Sequence, residues 1–210
     1  MPTLDLERGL LAAGATAVVG VDEVGRGALA GPVTVGLVVV DTTTQQAPDD
    51  VDDSKMLSRA RRESLVAPLT QWCAGWSLGS ASAAEIDAIG IVAALRLAFL
   101  RGYAQLTVQP SHVILDGRHN WIGGPDLLHP DAPDVQVTTR VKADRECASV
   151  AAASVLAKVD RDAHMRALAT QHPTFGWDSN VGYGAAVHLA AIRRDGPTEH
   201  HRRSWRLPVG

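Results

Sequence analysis

Two runs rich in β-branched residues near the start of the chain restrict its fold more than any other feature. Residues 17–22 and 33–40 each predict a buried strand, since valine dominates both runs and neither carries a charge before its last residue. The segment between them, 25–32, contains three glycines and a proline and therefore predicts a connection. The first run ends in Asp22, and Glu23 follows it directly, so that two carboxylates lie at the end of a buried strand.

Further strands and helices extend this pattern along the chain. Residues 73–78, 112–116 and 134–139 predict three more strands. The predicted helices span 58–69 (ending near Pro68), 82–90, 91–106, 146–170 and 185–194. Ser82 and Glu85 have the spacing of a capping box at the start of the second helix. Because strands come first and later alternate with helices, we expect an α/β fold with a mixed five-stranded sheet flanked by helices.

Length and composition predict an ordinary globular protein. The 210 residues suffice for one domain with a substantial core. The apolar, uncharged stretch 27–40 is too short to span a bilayer, and the first ten residues lack the pattern of a signal peptide. Cys73 and Cys147 form no CxxC motif, which argues against a disulfide framework or a cysteine zinc site. We expect a monomer located in the cytoplasm, with no membrane partner.

The charge distribution is uneven although the net charge is only −3. A negative net charge argues against a general nucleic-acid coat protein. Residues 41–53 carry five aspartates and no base, and we expect them to form a surface loop. Residues 193–206 carry five arginines, which predicts either an electrostatic footprint for phosphates or a solvated terminal tail.

Four carboxylates are candidates for a metal site. Asp22 and Glu23 end one predicted strand, Asp116 ends another, and Asp144 precedes the alanine-rich helix. Strand ends at one edge of a sheet converge, so these carboxylates are expected to lie close together, where a divalent cation would relieve their repulsion. Oxygen ligands without histidine or cysteine favour Mg²⁺ or Mn²⁺ over zinc.

Two of these carboxylates also have a simpler explanation, and the other two raise a geometric difficulty. Asp116 precedes Gly117, a pair typical of turns, and Asp144 is placed as a helix cap would be. Consecutive strand residues point to opposite faces, so Asp22 and Glu23 cannot both direct their side chains at one ion from a regular strand. Either the strand is irregular there, or Glu23 contributes its main-chain carbonyl.

Groups suited to phosphate oxygens accompany the carboxylates. The candidates are Gly25, Arg26, Gly27, Lys55 and Lys142. The two glycines leave backbone N–H groups accessible, and the guanidinium and ammonium groups attract phosphate. Lys158 is instead expected to pair with Asp162 at the i,i+4 spacing. Tyr183 lies between Gly182 and Gly184, where its ring either stacks on a sugar or base or packs on the core as a turn residue.

The sequence resembles the type 2 ribonucleases H, and specifically the ribonuclease HII family. The resemblance covers about residues 17–206 and rests on six motifs in the family's order: DEVGRG followed by LAGPV, DSKMLS, VILDG, KAD with SVAAASVLAKVDRD, GYG, and GPTEHHRRSW. It implies a ribonuclease H-like catalytic domain over 1–170 and a C-terminal helical and basic extension over 171–210, packed on the same domain.

The resemblance also implies an activity and a site. The expected reaction is two-metal-ion hydrolysis with Mn²⁺ or Mg²⁺, which cleaves the RNA strand of RNA–DNA hybrids and nicks 5′ of single ribonucleotides in duplex DNA, leaving 3′-hydroxyl and 5′-phosphate ends. The expected catalytic and metal-binding residues are Asp22, Glu23, Asp116 and Asp144. The family's ribose-sensing element corresponds to Gly25–Gly27, and its stacking tyrosine corresponds to Tyr183.

Two positions depart from the family pattern. Ala28 stands where many relatives have proline, and Ala185 stands where a hydroxyl residue is common, which bears on loop stiffness rather than on ligands.

Two other functions are alternatives. One alternative is another metal-dependent nuclease or strand-transfer enzyme of the same fold. The other alternative is a non-catalytic module that binds hybrids.

Overall fold

The computed structural model describes residues 1–123 and 133–209, and its centre is one mixed sheet. The strands are β1 (Val18–Val24), β2 (Val33–Val40), β3 (Gly75–Ala81), β4 (His112–Asp116) and β5 (Gln136–Arg140). Their order across the sheet is β3-β2-β1-β4-β5. The prediction of a mixed five-stranded sheet is confirmed.

The strand pairing brings two of the predicted acids to one edge of the sheet. β1 pairs antiparallel with β2 and parallel with β4, and β4 pairs parallel with β5. In the β1–β4 register Val21 lies opposite Leu115, so the next residues along, Asp22 and Asp116, leave the two strands side by side. The carboxyl ends of these parallel strands therefore form the edge on which a site can be built.

Helices cover both faces of the sheet, and most of them match the predictions within a few residues. They are α1 (Asp5–Ala12), α2 (Arg59–Trp72), α3 (Ala83–Ile89), α4 (Ile91–Tyr103), α5 (Ala143–Glu146), α6 (Ala148–Gln171), α7 (Trp177–Asn180) and α8 (Ala186–Asp195). The capping box of Ser82 and Glu85 is present at the start of α3. Helices α1 and α7 were not predicted. None of the helices in the described ranges is long and apolar enough to cross a bilayer.

The prediction that α2 ends near Pro68 is wrong. The helix continues to Trp72 with Pro68 inside it. A proline removes one helical hydrogen bond and crowds the preceding turn. Burial compensates here, because Leu65 and Leu69 of the same helix are almost fully buried against α6. Tertiary packing therefore overrides the local signal.

The predicted helix over 146–170 is interrupted at its start. Cys147 has extended dihedral angles, φ −108° and ψ 122°, and separates α5 from α6. The chain start causes this break, since Thr3 forms a parallel bridge with Cys147. The Thr3 amide donates to the Glu146 carbonyl at 2.9 Å, and the Ala148 amide donates to the Thr3 carbonyl at 2.8 Å. A contact between residues more than 140 positions apart is invisible to local patterns.

Helix α6 lies very close to the sheet. Side chains of β1 alternate between the faces, so that Val19 and Val21 pack in the cluster with α4, and Val18 packs on the side of α6. Gly20 permits the close approach of α6, because a Cβ there would lie 2.4 Å from the main chain of Ser149. A real Cβ does not tolerate that distance. Even-numbered residues of β1, including Asp22, thus face α6.

The segment after α6 packs on α6 through an aromatic cluster. Phe175 and Trp177 stack with ring centroids 5.1 Å apart, and both are buried together with Met165 of α6 and Ile192 of α8. The division into residues 1–170 and 171–210 stays a prediction. The expectation that 41–53 is purely a surface loop is wrong at its end, since Val51 and Asp53 are buried.

Candidate active site

Asp22 and Asp116 lie side by side where the pairing of β1 with β4 ends, and the other site residues surround them. Asp22 is only 4% exposed, and it faces α6, where the Ser154 hydroxyl lowers the pKa of its carboxyl group against the larger effect of burial. The strand is regular here, because the β1–β2 ladder runs without a break from Val18 opposite Val40 to Val24 opposite Thr34. The irregular-strand alternative for Glu23 is therefore wrong.

Asp144 is brought to this edge by the turn before α5. The main-chain amide of Ala143 donates a 2.8 Å hydrogen bond to Oδ1 of Asp116. Lys142, which precedes it, has left-handed dihedral angles (φ 63°) and is the N-cap residue of α5. Asp144 thus lies inside the helix rather than capping it, and only 5% of it is exposed.

Burial and mutual repulsion raise the pKa values of Asp22, Glu23 and Asp144. The pKa of Asp22 is raised to about 8, first by burial of its carboxyl group and then by the negative charges of Glu23 and Asp116. Burial also raises the pKa of Glu23, against the opposing effect of Arg26. The pKa of Asp144 is raised by burial and by the charge of Asp116. Such a group of carboxylates is stabilised when a cation neutralises it.

Lys55 is the cation that faces this group in the structure. Its Nζ lies 3.7 Å from Oδ2 of Asp144. Burial lowers the pKa of the Lys55 ammonium, but the nearby carboxylates, led by Asp22 and Asp53, reverse that effect and raise it. Asp53 itself is buried, accepts the Lys55 amide at 2.9 Å, and forms an ion pair with Arg145 at 3.3 Å. It anchors the loop that carries Lys55.

The acids fit a hard divalent cation by their donor chemistry. A cleft of about 290 Å³, called here the acidic cleft, is lined by Asp22, Glu23, Lys55, Lys158 and Tyr183. In the described ranges no three carboxylate, imidazole or thiolate groups are already spaced as ligands of one ion. Residues around the cleft offer carboxylate oxygens and no sulfur, which suits Mg²⁺ or Mn²⁺. Side-chain adjustment would be needed to complete a ligand set.

The turn after β1 has the backbone shape that glycine allows. Gly25 has φ +88°, and a Cβ there would lie 2.0 Å from Nε of Arg161. Arg26 and Gly27 are exposed, and the Arg26 guanidinium lies 3.3 Å from Oε1 of Glu23. The structure therefore places the predicted Gly25–Gly27 element directly beside the second acid.

Two buried arginines lie behind this turn, and one of them, Arg202, binds its carbonyl oxygens. Arg202 is fully buried and donates to the carbonyl oxygens of Gly25 at 2.6 Å and Arg26 at 2.8 Å. Trans peptide geometry turns an N–H away from the preceding carbonyl, so the amides of Arg26 and Gly27 point away from Arg202. Arg161, also fully buried, donates to the carbonyls of Pro32 and Val181 at 2.8 and 2.9 Å.

One arginine of the basic tail is buried, and the other four are exposed. Arg202 is unavailable to phosphates, which corrects the expectation that the whole tail is either a footprint or solvated. Its guanidinium is satisfied by main-chain carbonyls, and burial lowers its pKa to about 10. Arg193, Arg194, Arg203 and Arg206 are exposed.

Tyr183 borders the acidic cleft, and its side chain is partly open to solvent. It is 37% exposed, and the Arg161 guanidinium carbon lies 5.5 Å from the centre of its ring. The reading of Tyr183 as a core-packed turn residue is therefore wrong. Lys158 and Asp162 form the predicted i,i+4 pair at 2.8 Å. Lys142 is exposed beside α5.

Sequence reasoning missed several residues that shape the site. They are Asp53, Ser54, Ser154, Arg161 and Arg202. Ser154 and Ser54 hydrogen-bond each other at 2.7 Å beneath Asp22. Ser154, a polar residue in the alanine-rich first half of α6, provides a signal that could have been used, whereas Arg161 lies among other charged residues and provides none. Arg202 gave no such signal, because it lies among other bases.

Comparisons with known proteins agree with this geometry. A profile described as Ribonuclease HII matches residues 19–207. The chain is 47% identical over 205 residues to the Ribonuclease HII of Streptomyces avermitilis, covering 97% of this chain and 83% of that protein. It is 45% identical over 204 residues to the Ribonuclease HII of Jannaschia sp., covering 97% and 94%.

Solved structures share the fold at lower identity. The crystal structure of ribonuclease H2 from Pyrococcus horikoshii OT3 superposes with a TM-score of 0.70 at 24% identity, over 91% of this chain and 95% of that chain. The crystal structure of Bst-RNase HIII in complex with Mn²⁺ gives a TM-score of 0.63 at 20% identity, over 86% and 63%. The profile match and the identity to relatives over nearly the whole length show that the chain belongs to the ribonuclease HII family and is a ribonuclease H, a hydrolase with activity on RNA–DNA hybrids.

Proposed function

We propose that this chain cleaves the RNA strand of RNA–DNA hybrids endonucleolytically, nicks duplex DNA on the 5′ side of single ribonucleotides, and leaves 3′-hydroxyl and 5′-phosphate ends. The observation that carries the proposal is the juxtaposition of Asp22 and Asp116 on neighbouring strands, with Asp144 joined to them through the Ala143–Asp116 hydrogen bond. Carboxylates crowded in this way suit a site that receives divalent cations and phosphate oxygens.

Asp22, Asp116 and Asp144 would hold Mn²⁺ or Mg²⁺ through their side chains. Glu23 would complete the set through its main-chain carbonyl, since β1 stays regular and the Glu23 side chain is engaged by Arg26. A pair of such ions, when bound, activates a water and stabilises the charge on the leaving 3′ oxygen. The Mn²⁺ complex of Bst-RNase HIII supports a metal in this fold.

The chain's own residues would select the substrate. The amides of Arg26 and Gly27 point outward, so they would donate hydrogen bonds to a ribose hydroxyl beside the scissile phosphate. Lys55 and Lys142 would attract phosphates, and Lys55 would leave Asp144 as cations enter. Tyr183, partly exposed at the acidic cleft, would stack on the sugar of the next nucleotide.

Two features favour this function over the alternatives. A strand-transfer enzyme of the same fold needs no ribose sensor, whereas here Arg202 binds the carbonyls of the Gly25–Gly27 turn and Arg161 packs where a side chain at Gly25 would lie. A module that merely binds hybrids gains nothing from buried carboxylates near phosphates. We further propose that the chain acts as a monomer, with residues 171–210 forming part of the substrate surface.

A cleavage assay tests this function. The substrates are a DNA duplex with one ribonucleotide, an all-RNA strand paired with DNA, and an all-DNA duplex, each with Mn²⁺, Mg²⁺ or EDTA. The proposal predicts metal-dependent cleavage of the first two, with the nick 5′ of the single ribonucleotide. Cleavage of the hybrid alone would contradict the ribonucleotide specificity, and cleavage of the all-DNA duplex would contradict ribose sensing. Undiminished cleavage in EDTA would contradict the metal site.

A further inference from the structure

Two buried histidines lie beneath Tyr183, outside the acidic site. His188 comes from α8 and His201 from the terminal segment, and their exposed fractions are 0% and 1%. Their Nε2 atoms are 3.1 Å apart, a hydrogen-bond distance. Two imidazoles in this contact share one proton between their facing nitrogens, so the position of that proton must be fixed by the other groups around them.

The surrounding donors determine that position. The Thr198 amide can only donate, and it donates to Nδ1 of His201 at 2.9 Å, which leaves the His201 proton on Nε2. The Trp177 indole can only donate, and it donates to Nε2 of His188 at 3.1 Å. His188 Nε2 is therefore the acceptor shared by Trp177 and His201, and its proton lies on Nδ1. Two independent donors thus assign the same neutral tautomers.

The last donor in this series of hydrogen bonds is Nδ1 of His188, which faces Tyr183. Nδ1 of His188 lies 2.8 Å from the Tyr183 carbonyl oxygen, and it donates because its proton is on that atom. The Tyr183 amide donates to the Asn180 carbonyl at 2.9 Å, and the Ala185 amide donates to the Tyr183 carbonyl at 2.8 Å. The main chain of Tyr183 is thus held on both sides, while its ring stays exposed at the acidic cleft.

We propose that His201 and His188 form a neutral, directional hydrogen-bond relay from Thr198 to the Tyr183 carbonyl, and that both histidines are positioning residues for ribonucleotide recognition. The proposal rests on the role given to Tyr183 in the proposed function. It assigns a purpose to a histidine pair that neither touches the acids nor lines the cleft.

The groups around the pair favour the neutral form. Burial is the largest cause that lowers the pKa of His201, followed by His188, and His200, His172 and Arg203 lower it further. Phe175 and Trp177 supply ring contacts to it at centroid distances of 4.8 and 5.3 Å. A second proton on His201 would place Nδ1–H against the Thr198 amide, and a second proton on His188 would place Nε2–H against the Trp177 and His201 donors. Either proton breaks the relay.

Two substitutions of similar size separate positioning from packing. His188→Asn keeps an N–H near the Nδ1 position, facing the Tyr183 carbonyl. His188→Gln places its amide near the Nε2 position and retains an acceptor for Trp177 and His201, but lacks that donor. We expect His188→Gln to lower kcat/KM on a single-ribonucleotide duplex about tenfold, the effect of one lost hydrogen bond, and His188→Asn to lower it less than about threefold.

The same substitutions in a Tyr183→Ala background complete the experiment. There the relay has no ring to position, so His188→Gln and His188→Asn should have equal kcat/KM. An equal loss for Gln and Asn in the wild-type background, or an undiminished Gln effect in the Tyr183→Ala background, would overturn the positioning role. Thermal unfolding of all variants separates these results from a loss of fold.

A nitrogen NMR measurement on the unsubstituted protein tests the relay without relying on activity. At pH 7 we expect the Nδ1–H tautomer for His188 and the Nε2–H tautomer for His201. The opposite tautomers, or a charged imidazole in either residue, would overturn the relay. Full activity of Tyr183→Ala would instead overturn the role of Tyr183 in the proposed function, so the two failures are distinguishable.

Discussion

The main-chain amide of Ala143 donates a 2.8 Å hydrogen bond to Oδ1 of Asp116. This bond joins the end of β4 to the start of α5, and so fixes Asp144 relative to the strand acids. Asp116 therefore has a structural role as acceptor and a proposed chemical role as a charge, and the two can be separated by substitution.

Asp116→Asn keeps an acceptor oxygen for the Ala143 amide but removes the charge. We expect its free energy of unfolding in EDTA to be at least that of the unsubstituted protein, because removing the charge relieves repulsion with Asp22 and Asp144. Its cleavage rate should fall more than about a hundredfold, since a lost ligand weakens several kcal/mol of charge stabilisation. Asp116→Ala should lose about 1 kcal/mol of stability as well. Urea unfolding and single-turnover cleavage measure both effects, and normal cleavage by Asp116→Asn would contradict the assignment.

Arg202→Lys tests whether the buried guanidinium shapes the ribose-sensing turn. Lysine cannot reproduce the guanidinium bonds to the Gly25, Arg26 and Gly31 carbonyls together, so at least one of these carbonyls loses its side-chain donor. We expect a loss of about 1–3 kcal/mol in the free energy of unfolding. Arg203→Lys, at an exposed neighbour, is the matched control and should cost nothing measurable. Equal urea midpoints for both variants would refute the role of Arg202.

The contribution of His201 to stability should fall at mildly acidic pH. Burial, the largest cause, and the neighbouring histidines and Arg203 lower the pKa of His201 from 6.5 to about 4. Between these values the unfolded chain binds a proton at His201 that the folded chain does not bind, so this contribution is fully present above pH 6.5 and decreases as pH falls toward 4. Asp22, whose pKa is raised to about 8, contributes in the opposite direction, so the measurement is the difference in urea unfolding between the unsubstituted protein and His201→Gln. That difference should shrink as pH falls through the range, and a difference that does not change with pH would contradict the burial of a neutral His201.

Gly20→Ala tests the close approach of α6 to β1. The new Cβ would meet the main chain of Ser149 at 2.4 Å, and the helix that carries Ser154 would have to shift. We expect a loss of about 1–3 kcal/mol in the free energy of unfolding. Gly9→Ala in α1 is the control, since nothing lies within 4 Å of its Cβ, and it should stabilise by about 0.5–1 kcal/mol. A neutral Gly20→Ala would contradict the tight packing.

Local patterns predicted the parts of the fold whose causes are local. Alternating or continuous valine runs define β1 and β2, and the Ser82–Glu85 capping box starts α3 where expected. The break at Cys147 depends on Thr3, and the continuation of α2 through Pro68 depends on packing against α6. Neither cause lies within a few residues of its effect.

The candidate site divides in the same way. The four acids stand at strand ends or a helix start, where convergence could be expected from the sequence. The roles of Arg161 and Arg202 could not, because each guanidinium meets carbonyls far away along the chain. The unbroken β1–β2 ladder at Asp22 excludes an irregular strand, one of the two alternatives left open for Glu23, and a regular strand depends on pairing with β2 rather than on the local sequence.

The most direct test of the central claim is the activity and substrate binding of Asp22→Asn. The claim is that the buried carboxylate of Asp22 serves catalysis through divalent cations rather than the fold or general affinity for nucleic acid. The measurements are single-turnover cleavage of a single-ribonucleotide duplex with Mn²⁺ and binding of the same duplex in EDTA. Asp195→Asn, on the surface and paired with Arg194, is the control. We predict no detectable cleavage with nearly unchanged binding, and unchanged turnover of Asp22→Asn would contradict the account.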